Sequence, residues 1–272
     1  MKKIFCFLAL LCLPLTTLAQ GIDHSHAAFT ALLKKYVVLV DGGKASQVKY
    51  AALKNDRAAL KSYLDSLSKV TQTEFDGWSK AQQMAFLINA YNGFTLELIV
   101  AHHPVKSIKD IGGVFDNRWK RKFFKLLGND AFLDQIEHEW LRKPGRYNEP
   151  RVHFAVNCAS IGCPMLREEA FVADRLGAQL EEQAVRFLSD RSRNRYANGK
   201  LEVSNIFNWF KEDWTSGYTG FDGKTPAIAS REDYFARYAK LLADKPEDQK
   251  KIGDKAAGIA HLDYDWSLNE AK

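Results

Sequence analysis

Between Ser79 and Pro104 lies the stretch that most limits what this chain can fold into. Its centre, Phe86-Leu87-Ile88-Asn89-Ala90-Tyr91-Asn92-Gly93-Phe94, is apolar on nearly every side when wound as a helix. A helix of that kind has to be buried on several sides, so the rest of the chain must wrap around it. Ser79 suits the N-cap and Pro104 stops the run, which predicts a helix from Lys80 to about His102. Asn89 and Asn92 stand three apart on it and face the same way. A buried amide without a partner costs about 1–3 kcal/mol, so both need specific partners. They either tie loops and backbone groups to the core or line a site.

The flanking segments are amphipathic. Phe29, Leu32, Leu33, Tyr36 and Val37 give helical spacing from His24 to Val38, ended by Gly42-Gly43. Leu60, Tyr63, Leu64 and Leu67 line one face of Asn55–Val70, and Leu176, Leu180, Ala184 and Phe187 do the same up to Asp190. Short hairpins are expected at Phe123–Leu133 and around Asn198-Gly199. Val152–Val156 reads as a strand, Ser204 and Ser230 as helix caps, and Leu262–Leu268 as a returning last strand. The expected fold class is α+β: a predominantly helical single domain with a small antiparallel sheet and short hairpins.

Lys2 and Lys3, the apolar run Ile4–Leu13, Pro14, and Thr17-Leu18-Ala19 have the form of a cleavable secretory signal at residues 1–19. The apolar run is about half what a bilayer-spanning helix needs. Cys12 follows Leu10-Leu11, which lacks the small residue expected beside a lipidated cysteine. Cleavage leaves residues 20–272 as one globular domain, and no later apolar run looks long enough to span a membrane. The expected location is periplasmic or secreted, without stable membrane insertion. Loss of Lys2 and Lys3 lowers the formal charge from +6 to +4. The basic residues are dispersed except for Arg118, Lys120, Arg121, Lys122 and Lys125, read as a solvated edge, and no nucleic-acid partner is expected.

Cys6 and Cys12 leave with the signal, so the mature chain keeps only Cys158 and Cys163. An oxidising compartment and this short spacing predict a disulfide between them. Three other readings stay open: a redox-active pair, a cysteine nucleophile activated by His153, and a metal site. The last would need partners such as His138 and His153, and no metal or other cofactor is assigned. On a strand, His153 and Asn157 share the face opposite Phe154 and Val156. Cys158 then reaches the imidazole only if the chain turns back through Ala159, Ser160 and Gly162. Asn157, Asn89 or Glu137 could orient that imidazole, and backbone N–H groups near Gly162 could hold an acyl oxyanion. Pro164 could open a helix whose N-terminus favours a Cys163 thiolate. His138 lies beside Glu137 and one turn after Asp134, a spacing that suits either an oriented imidazole or a surface ion pair.

Phe86–Asn92, Leu133–His138 with Leu141-Arg142, and Arg151–Ala155 followed by Cys158 and Cys163-Pro164 together resemble the domain-of-unknown-function 547 family. The likeness continues through Ser204–Phe210 and Tyr264–Asn269. It carries over Asn89, Tyr91, Asn92, Glu137, His138, Arg151, His153, Cys158, Cys163 and Pro164. Bacterial members are often exported, and pairing with glutaredoxin-like domains elsewhere in the family favours thiol chemistry. Many relatives have Cys-Gly-Ala-Lys-Ser-Cys-Pro, so the Lys and Ser are replaced here by Ile161 and Gly162. The expected activity is that of a thiol-dependent hydrolase or acyl-transfer enzyme. Cys158, Cys163, His153, Glu137 and His138 would be its catalytic groups, with Asn89, Tyr91, Asn92, Arg151, Asn157 and Ser160 supporting or binding. Its ligand would be a small molecule, a peptide or a cell-envelope component. The alternatives are a non-catalytic secreted binding domain stapled by the disulfide, and a thiol-redox protein.

Overall fold

The computed structural model describes residues 21–113 and 117–272, and the expected export signal at residues 1–19 lies outside them. The protein is predominantly helical, with small sheets of two or three strands. Its centre is the helix Lys80–His102, opened by a capping box in which Ser79 and Gln82 serve each other's backbone N–H groups. Every residue from Met84 to Val100 except Glu97 is buried. By length and composition this helix could cross a membrane, contrary to the sequence expectation that no such run follows residue 19. It is 89% covered by protein over its apolar stretch, which makes it the core helix of the fold. Gly93 lets the helix Arg57–Ser68 lie directly on it, since a Cβ there would stand 2.9 Å from Leu64 Cδ2.

The first helix is shorter than its pattern suggested. It runs Ala27–Tyr36, and Val37–Val40 then pairs antiparallel with Ala45–Val48. The β-branched run Val37-Val38 and Val40 favours a strand, and Gly42 and Gly43 turn it with φ of 61° and 85°. The Asn198-Gly199 hairpin forms as expected, with φ of 53° and 73°. Its second strand, Lys200–Ser204, is joined in parallel by Gly258–Leu262, so this sheet is mixed. The last strand therefore precedes the segment expected to supply it. Beyond Leu262 the chain is a strap: Ile161 donates to Ser267 O, Gly162 to Asp265 O, and Asn269 to Ala159 O.

Two expectations near the cysteines change. Residues Pro150–Phe154 form a tight helical turn instead of a strand, because Pro150 pre-sets the backbone and the Glu149 side chain accepts from Arg151 N. The turn sends Val152 and Ala155 into a core around the long helix, and Phe154 into a second core with Phe187, Phe207 and Trp214. Alternation therefore does not set the direction of His153. The expected short helix at Asp134–Arg142 is a π-helix over Gln135–Leu141, continued by Arg142 N donating to Glu137 O five residues back. Such wide turns are rare and often found at functional sites.

Candidate functional site

A cavity of about 190 Å³ lies beside the cysteine loop. Among the expected residues it is lined by Tyr91, Glu137, His138, His153, Cys158 and Cys163. The long helix supplies Tyr91, the π-helix Glu137 and His138, and the Pro150 turn His153.

Cys158 and Cys163 are free thiols with their sulfurs 3.2 Å apart, well beyond the length of about 2 Å of a disulfide. The expected disulfide is therefore corrected: the two sulfurs make a hydrogen-bonded pair. Cys158 N donates to Cys163 Sγ at 3.1 Å, while Cys158 Sγ stands 3.1 Å from Ser160 Oγ and 3.2 Å from the Tyr264 hydroxyl. Hydrogen bonding from Cys163 first, and from Ser160 and Tyr264 as well, brings the Cys158 thiol down to about 7 against the opposing effect of burial. Burial pushes Cys163 well up, and the adjacent Cys158 adds to this. One sulfur is thus prepared as thiolate and the other stays a proton donor. Burial and the negative charge of Cys158 also keep Tyr264 protonated, so its O–H can donate.

Loop shape follows from close packing. Ala159 holds φ of 62°, a conformation favouring glycine, and Asn157 Oδ1 accepts its N–H at 2.9 Å. Gly162 is needed for a different reason: a Cβ there would meet Asp265 N at 2.9 Å and Asp265 O at 3.0 Å. The strap carrying Tyr264 can lie against the loop only because position 162 has no side chain. The same packing commits the N–H groups of Ile161 and Gly162 to the strap, so Gly162 offers no amide to an oxyanion. No helix follows Pro164 directly; the next α-helix is Leu176–Ser189, so Cys163 has no helix dipole behind it.

His153 is fully buried, stacks on Phe210 at 4.3 Å, and has Nε2 2.7 Å from Asp213 Oδ2. Burial lowers its pKa, and the Asp213 hydrogen bond only partly restores it, so the imidazole is neutral near pH 7. Donation from Nε2–H to Asp213 leaves Nδ1 as the basic nitrogen. Burial works to raise Asp213, but hydrogen bonds from His153 and Arg142 outweigh it and hold the carboxyl low. Arg142 bridges two parts of the site. Its Nε donates to Asp213 at 2.7 Å, and its Nη1 to His138 Nδ1 at 2.7 Å. Burial and Arg142 depress His138, while Asp134 stands 3.8 Å from its Nε2. Among the described residues no hydrogen bond joins Cys158 to an imidazole, so hydroxyl and thiol donors do the work expected of His153.

Of the remaining expected residues, Asn92, Arg151, Asn157 and Ser160 support the site without lining it, and Asn89 does not take part. Asn92 accepts from Asn157 N at 2.8 Å and donates to Ala155 O at 2.9 Å, fixing the segment between His153 and Cys158. Asn157 in turn holds Pro164 O at 2.7 Å. Asn89 pairs with both backbone groups of Phe171, away from the cysteines. Arg151 is held by Glu149 at 2.8 and 2.7 Å and by Glu181 at 3.2 Å, anchoring the turn that carries His153. Sequence reasoning missed Asp213 as the partner of His153, and Trp119, Trp209, Phe210, Tyr264 and Trp266 as cavity walls. The aromatic crowding of Ser204–Phe210 and Tyr264–Asn269 was the available signal.

Fold and cavity define a predominantly helical protein that places a cysteine pair and a buried His–Asp pair around one pocket. Residues 75–188 match the family described as protein of unknown function, DUF547. No curated protein and no solved structure matches the chain. The matched region contains Tyr91, Glu137, His138, His153, Cys158 and Cys163, whereas Asp213, Tyr264 and Trp266 come after it.

Proposed function

We propose that the chain is an exported member of the DUF547 family and a thiol-dependent enzyme that hydrolyses or transfers acyl groups, with Cys158 as nucleophile. The observation carrying this reading is a Cys158 thiol lowered to about 7 in the same cavity as a neutral, Asp213-bound His153. The thiolate adds to an acyl carbon, and the C–S bond forms as the bond to the leaving group breaks. The leaving group takes up the proton that the thiol had released. Nδ1 of His153 then draws a proton from water, whose oxygen opens the thioester. The carboxylic acid departs, Cys158 returns as thiolate, and the imidazolium gives its proton back to solvent. Asp213 holds the ring in the required tautomer and stabilises its transient charge. The aromatic walls suit a small molecule, a peptide or a cell-envelope component with an apolar portion.

Incubation with a set of activated thioesters and esters, followed by intact-mass and peptide mass spectrometry, tests the reading. An acyl adduct on Cys158 that decays to free enzyme and acid is expected, and it disappears in Cys158→Ser. Adducts absent from Cys158 across acyl groups of all charges contradict it. The mass of the exported form tests the first part, with a start at Gln20 expected and a retained N-terminus contradicting export.

A further inference from the structure

The carboxylates of the cavity have a use that thiol chemistry does not absorb. Glu137 is only 8% exposed and lines the pocket, and Asp134 lines it beside the same π-helix. Among the described residues, no lysine or arginine is ion-paired with either. Their nearest basic neighbour is His138, with Nδ1 4.0 Å from Glu137 and Nε2 3.8 Å from Asp134. His138 accepts a hydrogen bond from Arg142 and is kept neutral by burial and by that guanidinium, so it adds no balancing charge. Arg142 itself is paired with Asp213. The Tyr91 hydroxyl bonds Glu137 and Lys120 acts on Asp134 from farther off, but among the described residues neither carboxylate has an ion-paired lysine or arginine, and a cation entering the pocket relieves that.

The walls fit the same ligand. Trp119, Phe210, Tyr264 and Trp266 line the cavity, and aromatic rings attract cations at their faces. The chain gives its own examples on these rings, where Lys109 Nζ stands 3.6 Å from the Trp266 centroid and the Arg142 guanidinium carbon 4.4 Å from that of Phe210. We propose that this cavity binds an ammonium group between Glu137, Asp134 and the aromatic wall, so that the acyl compounds delivered to Cys158 carry an amine. This rests on the acyl-transfer reading for its chemistry, but the cation site stands on its own geometry. The two functions are coupled electrostatically. The Glu137 charge opposes the Cys158 thiolate, so a bound ammonium that neutralises Glu137 favours the nucleophile.

The test uses the mature protein with n-hexylammonium, hexanol and hexanoate as probes, read by calorimetry and by protection of Cys158 from iodoacetamide. Hexylammonium is expected to bind at least about tenfold more tightly than the other two, and Glu137→Gln to weaken it about tenfold. Glu137→Gln is also expected to lower the pH midpoint of Cys158 alkylation. Asp134→Asn, at a less buried carboxylate, serves if Glu137→Gln does not fold by circular dichroism. Equal or tighter binding of hexanol or hexanoate, or ammonium binding unchanged in the folded variant, overturns the proposal. Thioesters of 6-aminohexanoate, hexanoate and adipate separate the two readings. Hexylammonium binding with no turnover of any thioester leaves the cation site and removes acyl transfer. Turnover of all three without preference for the amine does the reverse.

Discussion

The stretch between Phe75 and Leu188 and the segments after Ser204 contribute unlike things to one cavity. The earlier region, which matches the family, supplies the groups with reactive chemistry: Cys158, Cys163, His153, Glu137 and His138. The later segments supply groups that set the state of those residues. Asp213 fixes the tautomer of His153, and Tyr264 donates toward Cys158. The difference teaches that a reactive side chain and its tuning partner need not share a motif. Cys158 and Tyr264 are far apart in sequence yet 3.2 Å apart in space, because Gly162 admits the strap.

Substitutions on each side of this division break or sharpen the comparison. Cys158→Ser is expected to abolish acyl-enzyme formation entirely, measured by intact mass, with circular dichroism unchanged. Asp213→Asn is expected to slow thioester hydrolysis about 10²- to 10⁴-fold, the usual contribution of a positioned base. It should leave the pH midpoint of Cys158 alkylation in place, and so should His153→Ala, because no imidazole bonds the sulfur. A midpoint that moves with either variant would show that the two partner systems are one. Tyr264→Phe is expected to raise that midpoint above about 7 and slow alkylation at pH 7 about tenfold, the worth of one hydrogen bond to a charged group. Gly162→Ala is expected to act in the same direction but less, by pushing the strap off the loop, with a loss of about 1–3 kcal/mol in urea unfolding.

The parts legible in the sequence were those set by local pattern. Ser79, Pro104 and the apolar run defined the core helix, and Leu60, Tyr63, Leu64 and Leu67 the apolar face of its packing partner. The cysteine loop and the two histidines were found because their residue types are chemically distinctive. Three things escaped. The backbone of residues 150–154 follows Pro150 and the Glu149 cap, which override the strand-like run Val152–Val156. The π-helix leaves no period in so short a segment. Asp213 looked like one more acidic residue in a polar stretch, since nothing local shows that a fold will bring it 2.7 Å from His153. The disulfide expectation failed because compartment and spacing do not fix how the thiols face each other, and here the sulfurs settle 3.2 Å apart.

All of this depends on Cys158 being the prepared thiol, and the pH dependence of its alkylation tests that most directly. The measurement is the rate of iodoacetamide incorporation into reduced protein from pH 5 to 10, with the modified cysteine located by peptide mass spectrometry. Because the thiolate is the reactive form, the rate rises as pH passes the thiol's pKa. The prediction is a midpoint at about 7 with label on Cys158 and Cys163 left unmodified across the neutral range. A midpoint near the free-thiol value of about 8.5, or label appearing first on Cys163, would contradict the account.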